Sequence, residues 1–255
     1  MGKKSLLLLG CALTIYVVRG QVINIENRRL QTDSVRKAGD INVAFLLNST
    51  NGNNIMTFRG NTLVQLKSRD YKHLWLGLAN YDFAKAAKEN FVNAFFVHLR
   101  YNYRISSLIR WEAFVQSQRN LPLGIRFRNI AGTGPRFKVG LGKNAEFYLG
   151  TSVMFEHERT APPDDRNSTD LRSSNYVSLN IRFPKINGSF TSTSYFQPLY
   201  RDFSDHRIMN DSRFSFRITE KLQVYTNFSY FYDARPPVGI RKSTLNLEQG
   251  FGMRL

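Results

Sequence analysis

Residues 243–255 read STLNLEQGFGMRL. Leu245, Leu247, Phe251, Met253 and Leu255 share one parity, and Thr244, Asn246, Glu248, Gly250, Gly252 and Arg254 share the other. Apolar–polar alternation at period two is the pattern of a half-buried strand. A strand at the end of a sheet has an unpaired backbone edge, a liability unless a neighbour covers it. The expectation is that it pairs with a strand near the amino end, around residues 41–48, and closes the sheet into a barrel.

The alternation runs through most of the chain. Ile41, Val43, Phe45 and Leu47 open it. In 55–67, Met56, Phe58, Val64 and Leu66 oppose Thr57, Arg59, Asn61 and Gln65, and 71–81 carries Leu74, Leu76 and Leu78 on one parity. In 91–104, Phe95, Val97, Leu99, Tyr101 and Tyr103 face away from His98, Arg100 and Asn102. Segments 107–118, 125–139, 145–155, 175–183, 207–218 and 222–233 repeat the pattern. Segment 189–200, rich in Ser and Thr, is a strand whose faces the alternation does not assign. With 243–255 these make twelve expected strands in an all-β, antiparallel, up-and-down barrel.

The connections are expected to be short at one end, around 68–70, 105–106, 142–144, 185–188 (KING, a tight hairpin turn) and 219–221. Longer ones are expected at the other end, at 82–90, 119–124, 157–174 and 234–242. FAKAAKE at 83–89 suggests a short helical turn, and 157–174, with Pro162, Pro163, Asp164, Asp165 and Asp170, suggests the longest loop.

Over 255 residues the formal net charge is +17, from 36 Lys+Arg against 19 Asp+Glu. Such a charge raises nucleic-acid binding as a function. Strand alternation, however, sends the basic side chains inward, so nucleic acid is not an expected partner. Residues 1–20 have the form of a secretory signal, with Lys3 and Lys4 ahead of the apolar stretch 6–18 and Gly20 before an expected cleavage at Gln21. Cys11, the only cysteine, leaves with it. The mature chain then has no thiol for a disulfide, a nucleophile or a zinc site. The expected organisation is a signal peptide at 1–20, a periplasmic leader at 21–40 and a transmembrane barrel at 41–255.

An even strand number with short turns on one rim and longer loops on the other is what an outer-membrane barrel requires. In strands of clear parity the apolar face carries no Lys, Arg, Asp or Glu. Tyr101, Tyr103, Phe147, Phe155, Tyr230 and Tyr232 lie near strand ends, as interfacial girdles do. A soluble β-sandwich also hides one face, but that face rarely carries so many Tyr and Phe near the strand ends. The expected location is therefore the bacterial outer membrane. Outer-membrane lipid, lipopolysaccharide and the barrel-assembly machinery are the expected partners.

Several phrases add a resemblance: RWEAF (110–114), GTGPRFK (132–138), MFEHE (154–158), RSSNYVS (172–178), YFQPLYRDFSDHRI (195–208) and YDARPPVG (232–239). They resemble the salt-induced outer-membrane protein family, a domain of unknown function numbered 481, in particular its Bacteroidetes members. The resemblance covers nearly the whole mature chain. It implies an outer-membrane β-barrel with no established biochemical activity. Leu255 departs from the aromatic residue on which such barrels usually end.

Catalytic patterns are weak. None of His73, His98, His157 and His206 has the His-x-Ser spacing with which outer-membrane lipid hydrolases activate a serine. Glu156-His157-Glu158 and the acids Asp164, Asp165 and Asp170 invite a divalent cation. Alternation, though, splits the first set across two faces, and solvated acids are the plain account of the second. No enzyme, cofactor or metal is expected. The informative feature is the inward parity: Arg100, Arg110, Glu112, Arg126, Arg128, Arg136, Lys138, Glu146, Arg182, Arg207, Asp211, Arg213, Arg217, Glu248 and Arg254, with Glu156 and Asp233. These charges either pair across strands and fill a narrow lumen, giving a structural or envelope-adaptation barrel, or form a cationic pore for small anionic solutes.

Overall fold

The computed structural model describes residues 36–50, 53–86, 89–140, 142–219 and 222–253. The signal segment, all but the last residues of the expected leader, and Arg254 and Leu255 lie outside the described residues. The rest is a single twelve-stranded antiparallel sheet in sequence order. Its strands are β1 (Lys37–Thr50), β2 (Asn53–Lys67), β3 (His73–Ala86), β4 (Glu89–Arg104), β5 (Ile109–Asn120) and β6 (Ile125–Gly140). They continue with β7 (Ala145–Thr160), β8 (Asn167–Phe183), β9 (Gly188–Leu199), β10 (Asp202–Arg217), β11 (Leu222–Asp233) and β12 (Ser243–Met253). The expected all-β, up-and-down architecture is therefore present, strand for strand.

Pairing sorts the side chains onto two faces. On the inner face, Arg136, Glu156, Arg172 and Arg207 are buried; on the outer face, Leu99, Val115, Phe155 and Leu247 are exposed. An inner cavity of about 90 Å³ is lined by nine consecutive strands, from Phe96 on β4 to Asn246 on β12. The sheet therefore curls around its inner face. Twist and edge bulges help it bend: the register shifts at Ala84/Lys85, Gln118/Asn120, Ile125/Phe127 and Asp202/His206 all lie at the end away from the short turns.

Several expectations change. Residues 83–86 are strand, not a helical turn, with Phe83 opposite Asn93 and Phe58. The expected long loop at 157–174 shrinks to 161–166, because β7 runs to Thr160 and β8 starts at Asn167. Polarity misled here. The strands continue beyond the apolar band, and their ends carry charges that pair inward. Leu74, Leu76 and Leu78 face the interior, where they pack with Leu63 and Phe96, leaving Trp75, Gly77, Ala79 and Tyr81 outside. In β3 the larger aliphatic residues thus mark the inside. In β9 the odd residues face in, with Thr193 hydrogen-bonded to Ser178 at 2.9 Å. Its even residues Ser192 and Ser194 are polar too, which is why alternation could not assign the faces.

Turn chemistry fits the sequence. At the β5–β6 connection Leu121–Leu123 forms a 3₁₀ turn with Pro122 in its first turn, Asn120 Oδ1 accepting from the Leu123 N–H at 3.2 Å. The KING turn is built likewise on Pro184–Ile186, and Asn187 takes the left-handed conformation at φ 48°, which Asn tolerates. The expected ladder between β12 and β1 is not formed among the described residues; these two strands are the sheet's edges. The small inward residues Asn42 and Ala44 of β1 are exposed, so they give that strand nothing to pack against across the interior.

Candidate functional site: the inner face

Leu63 of β2, Leu74, Leu76 and Leu78 of β3 and Phe96 of β4 form an apolar patch on the inner face, and most of the buried charge lies on β4–β11. At the end away from the short turns, the loop end, Glu156 and Glu158 sit two residues apart on β7 and so share a face. Arg207 of β10 donates to Glu156 at 2.7 Å, to Glu158 at 3.1 Å and to Asp233 of β11 at 3.0 Å. Arg172 of β8 donates to Glu156 at 3.2 Å and to Asp205 at 2.9 Å. Arg128 of β6 closes the group through Glu158 and lies 3.6 Å from Glu156. Isolated buried charges are very costly, and here each is met by partners that also hydrogen-bond it.

Nearer the middle, Glu112 of β5 accepts from Arg136 at 3.3 Å, from Arg100 at 3.4 Å and from the Tyr176 hydroxyl at 2.8 Å. Tyr176 stands on β8, three strands from β5, which again requires a curled sheet. The Arg136 guanidinium lies 4.0 Å from the Tyr148 ring centre, a cation–π contact. His98, the inward histidine of the four, donates from Nδ1 to Gln116 at 3.1 Å and accepts from Arg100 Nε at 3.4 Å. Both ring nitrogens are thus engaged and no serine partners it. His73, His157 and His206 sit on the outer face among aromatic rings.

Glycines make room for these side chains. A Cβ at Gly150 would overlap the Tyr176 ring, and one at Gly132 would overlap Phe114. Gly150 thus lets Tyr176 lie flat and reach Glu112; in the GTG of GTGPRFK, Gly132 answers the Phe114 ring and Gly134 the close backbone of Thr151 and Ser152 on β7. At the loop end Gly124 packs against Pro237 and Ile240 of the β11–β12 connection, where a Cβ would stand 2.9 Å from Pro237. Gly124 also accepts from the Ala161 N–H at 2.7 Å, so three connections converge over that mouth.

Of the expected inward charges, Arg100, Arg110, Glu112, Arg128, Arg136, Lys138, Glu146, Arg182, Arg207, Asp211, Arg213, Arg217 and Glu248 are at inner-face positions. Lys138 and Glu146 pair at 2.7 Å. Arg126 does not belong. The register shift between Ile125 and Phe127 turns it to the rim, where it lies 3.7 Å from Asp165, so Arg126 is corrected to a loop-end cation. Arg254 lies outside the described residues. Several inner-face charges were missed: Glu158, Asp170 and Arg172 fell in the segment expected to be loop, and Arg104 and the Arg59–Asp82 pair at 2.8 Å were not named as inward; Asp170 pairs with Arg201 at 2.6 Å. As alternation required, His157 faces outward, hydrogen-bonded to Thr169 at 2.8 Å, away from Glu156 and Glu158.

Fold and site together define a curled, twelve-stranded up-and-down sheet with an apolar outside and a charged, packed inside. The chain belongs to the family described as Protein of unknown function, DUF481, whose profile matches residues 41–253. No curated protein matches it. Among solved structures it is similar to the NanC porin in a rhombohedral crystal form, at 11% identity and TM-score 0.49, covering 86% of this chain and 98% of that one. It is also similar to the KdgM porin in complex with disordered oligogalacturonate, at 10% identity and TM-score 0.43, covering 80% of this chain and 96% of that one.

Proposed function

We propose that this chain is an outer-membrane β-barrel filled by its own side chains, with a structural or envelope-adaptation role rather than a transport one. The filling carries the reading. The side chains of Arg207, Glu156, Glu158 and Asp233 are each no more than 6% exposed, and the cavity beside them, about 90 Å³, holds only a few waters. The outside supports placement in lipid. Leu99, Val115, Val153, Phe155, Leu245 and Leu247 are between 47% and 65% exposed, far more apolar surface than a soluble monomer tolerates. Cations at outward positions are confined to strand ends, at Lys37, Lys85, Arg119 and Arg159. In this reading Lys85 and Arg119 would meet lipopolysaccharide phosphates, while Arg159 is held by Asp165. In lipid an unpaired strand edge is very costly, so the proposal includes closure of β12 on β1. Leu247→Cys combined with single cysteines from Ile41 to Leu47 would then cross-link at one register in membranes; no cross-link at any position would refute closure.

A second reading, a small pore for anions, has one observation in its favour. Arg110, Arg182 and Arg217 make no ion pair among the described residues, and they stand on the inner face toward the short-turn end. Basic rings of this kind attract anions. Chloride flux from proteoliposomes separates the readings. Flux no greater than in empty vesicles supports the filled barrel. Flux that falls on Arg182→Gln or Arg217→Gln replaces it with the pore. The narrower kinship, to salt-induced outer-membrane proteins of Bacteroidetes type, rests on the quoted phrases alone.

A further inference from the structure

We propose that the outer face of β2–β5 holds an acyl chain of an anionic glycerophospholipid, whose headgroup is bound by Arg69 and Lys72. This rests on the reading above that the outer face lies in lipid. A groove of about 630 Å³ runs there from mid-strand toward the short-turn end, within the roughly 300–1,000 Å³ of small-molecule sites. Its floor is Gly77 and Ala79, and Val64, Leu66, Leu99 and Val115 form its walls.

Gly77 is the telling residue. A strand glycine weakens its strand and usually answers a packing demand, as Gly132 and Gly150 do. Gly77 answers none. An added Cβ would meet only Leu99 Cδ2, at 3.5 Å, an ordinary contact. The fold thus tolerates a side chain at this position, and what glycine leaves there is open space.

The groove ends on chemistry suited to a headgroup. Trp75 closes it, stacked on His73 at 5.8 Å between ring centres, and His73 Nδ1 is 2.7 Å from the Tyr101 hydroxyl. Amphipathic rings of this kind settle at the interface. One turn further, Arg69 and Lys72 are exposed and make no ion pair among the described residues. Asp70 between them is bound within its own turn, by the Ser68 hydroxyl and by the Lys72 N–H at 3.1 Å. Two free cations thus stand at the end of an apolar channel. Bulk lipid is as apolar as the groove, so acyl contact supplies fit and not a driving force. Selectivity falls on the headgroup, where basic residues favour anionic lipid.

The two tryptophans of the chain, Trp75 and Trp111, make the test direct. The full chain carrying Trp111→Phe is folded into phosphatidylcholine vesicles containing brominated phosphatidylglycerol or brominated phosphatidylcholine, and quenching of Trp75 is titrated. The expected result is a saturable phase with an apparent affinity about fivefold or more higher for phosphatidylglycerol. That preference vanishes with Arg69→Gln plus Lys72→Gln, and the saturable phase is lost with Gly77→Leu, while heat-modifiable migration reports that each variant has folded. Equal quenching by both lipids, or a preference indifferent to Arg69 and Lys72, overturns the site and leaves the membrane reading standing. Absence of quenching by either lipid overturns both.

Discussion

Arg207 and Glu156 are three strands apart, on β10 and β7, yet their side chains meet at 2.7 Å inside the curled sheet. Arg207 also holds Glu158 and Asp233, while Arg172 and Arg128 lie on Glu156 from either side. Removing one partner of such a group leaves buried charge uncompensated. Arg207→Ala is therefore expected to cost roughly 3–5 kcal/mol in unfolding from lipid. Arg235→Gln, which breaks the exposed pair of Arg235 with Asp202 at 2.6 Å, should leave stability nearly unchanged. Comparable losses at both positions would mean that burial does not set their weight.

The Tyr176–Glu112 hydrogen bond depends on Gly150. Gly150→Ala should lift the Tyr176 ring, break the 2.8 Å bond and lower stability. A double-mutant cycle with Tyr176→Ala checks this. The two changes should be clearly less than additive, with a coupling of roughly 0.5–3 kcal/mol, as for residues in contact. Strict additivity would show that the ring does not need the glycine.

Charge on the outer face distinguishes lipid from water. Val177 is 42% exposed, on the outward parity of β8. In a soluble protein Val177→Arg would be nearly silent, since surface changes usually lie within about ±0.5 kcal/mol. In a membrane barrel it should cost roughly 2–4 kcal/mol if it lies near the midplane. Urea titration of folding into vesicles measures the difference.

The loop-end cross-link has a pH dependence of known sign. Arg159 donates twice to Asp165, both bonds at 2.9 Å, and this holds the Asp165 carboxyl below the usual carboxylate range. A lowered folded value means that the pairing is fully present above the ordinary carboxylate range and is lost as pH falls through the lowered value. Arg159→Gln should raise the Asp165 midpoint in a carboxyl-carbon NMR titration. An unchanged midpoint would remove Arg159 as its cause.

Much of this fold was legible in residue order. Where one parity was apolar and the other charged, as in β4 and β10, strand and facing both followed from period two. It failed for three physical reasons. In β9, Ser and Thr occupy both faces, so period two carries no contrast. In β3, Leu74, Leu76 and Leu78 face inward against β4 and β2, reversing the rule that aliphatic means outside. At the ends of β7 and β8, Glu158, Asp170 and Arg172 looked like loop because their partners are distant in sequence. Arg126 was read as inward and stands at the rim, since a bulge leaves no mark in the alternation. Which charges would pair was not legible at all: Arg207 meets Glu156 and Glu158 only because the sheet curls.

The most direct test of the central claim, a lipid-facing barrel with a filled interior, is planar-bilayer recording of the folded wild-type chain beside Arg207→Ala. The filled barrel predicts no steady conductance from wild type, and transient openings once the charge network loses its hub. Steady, anion-selective conductance from the wild type would contradict it.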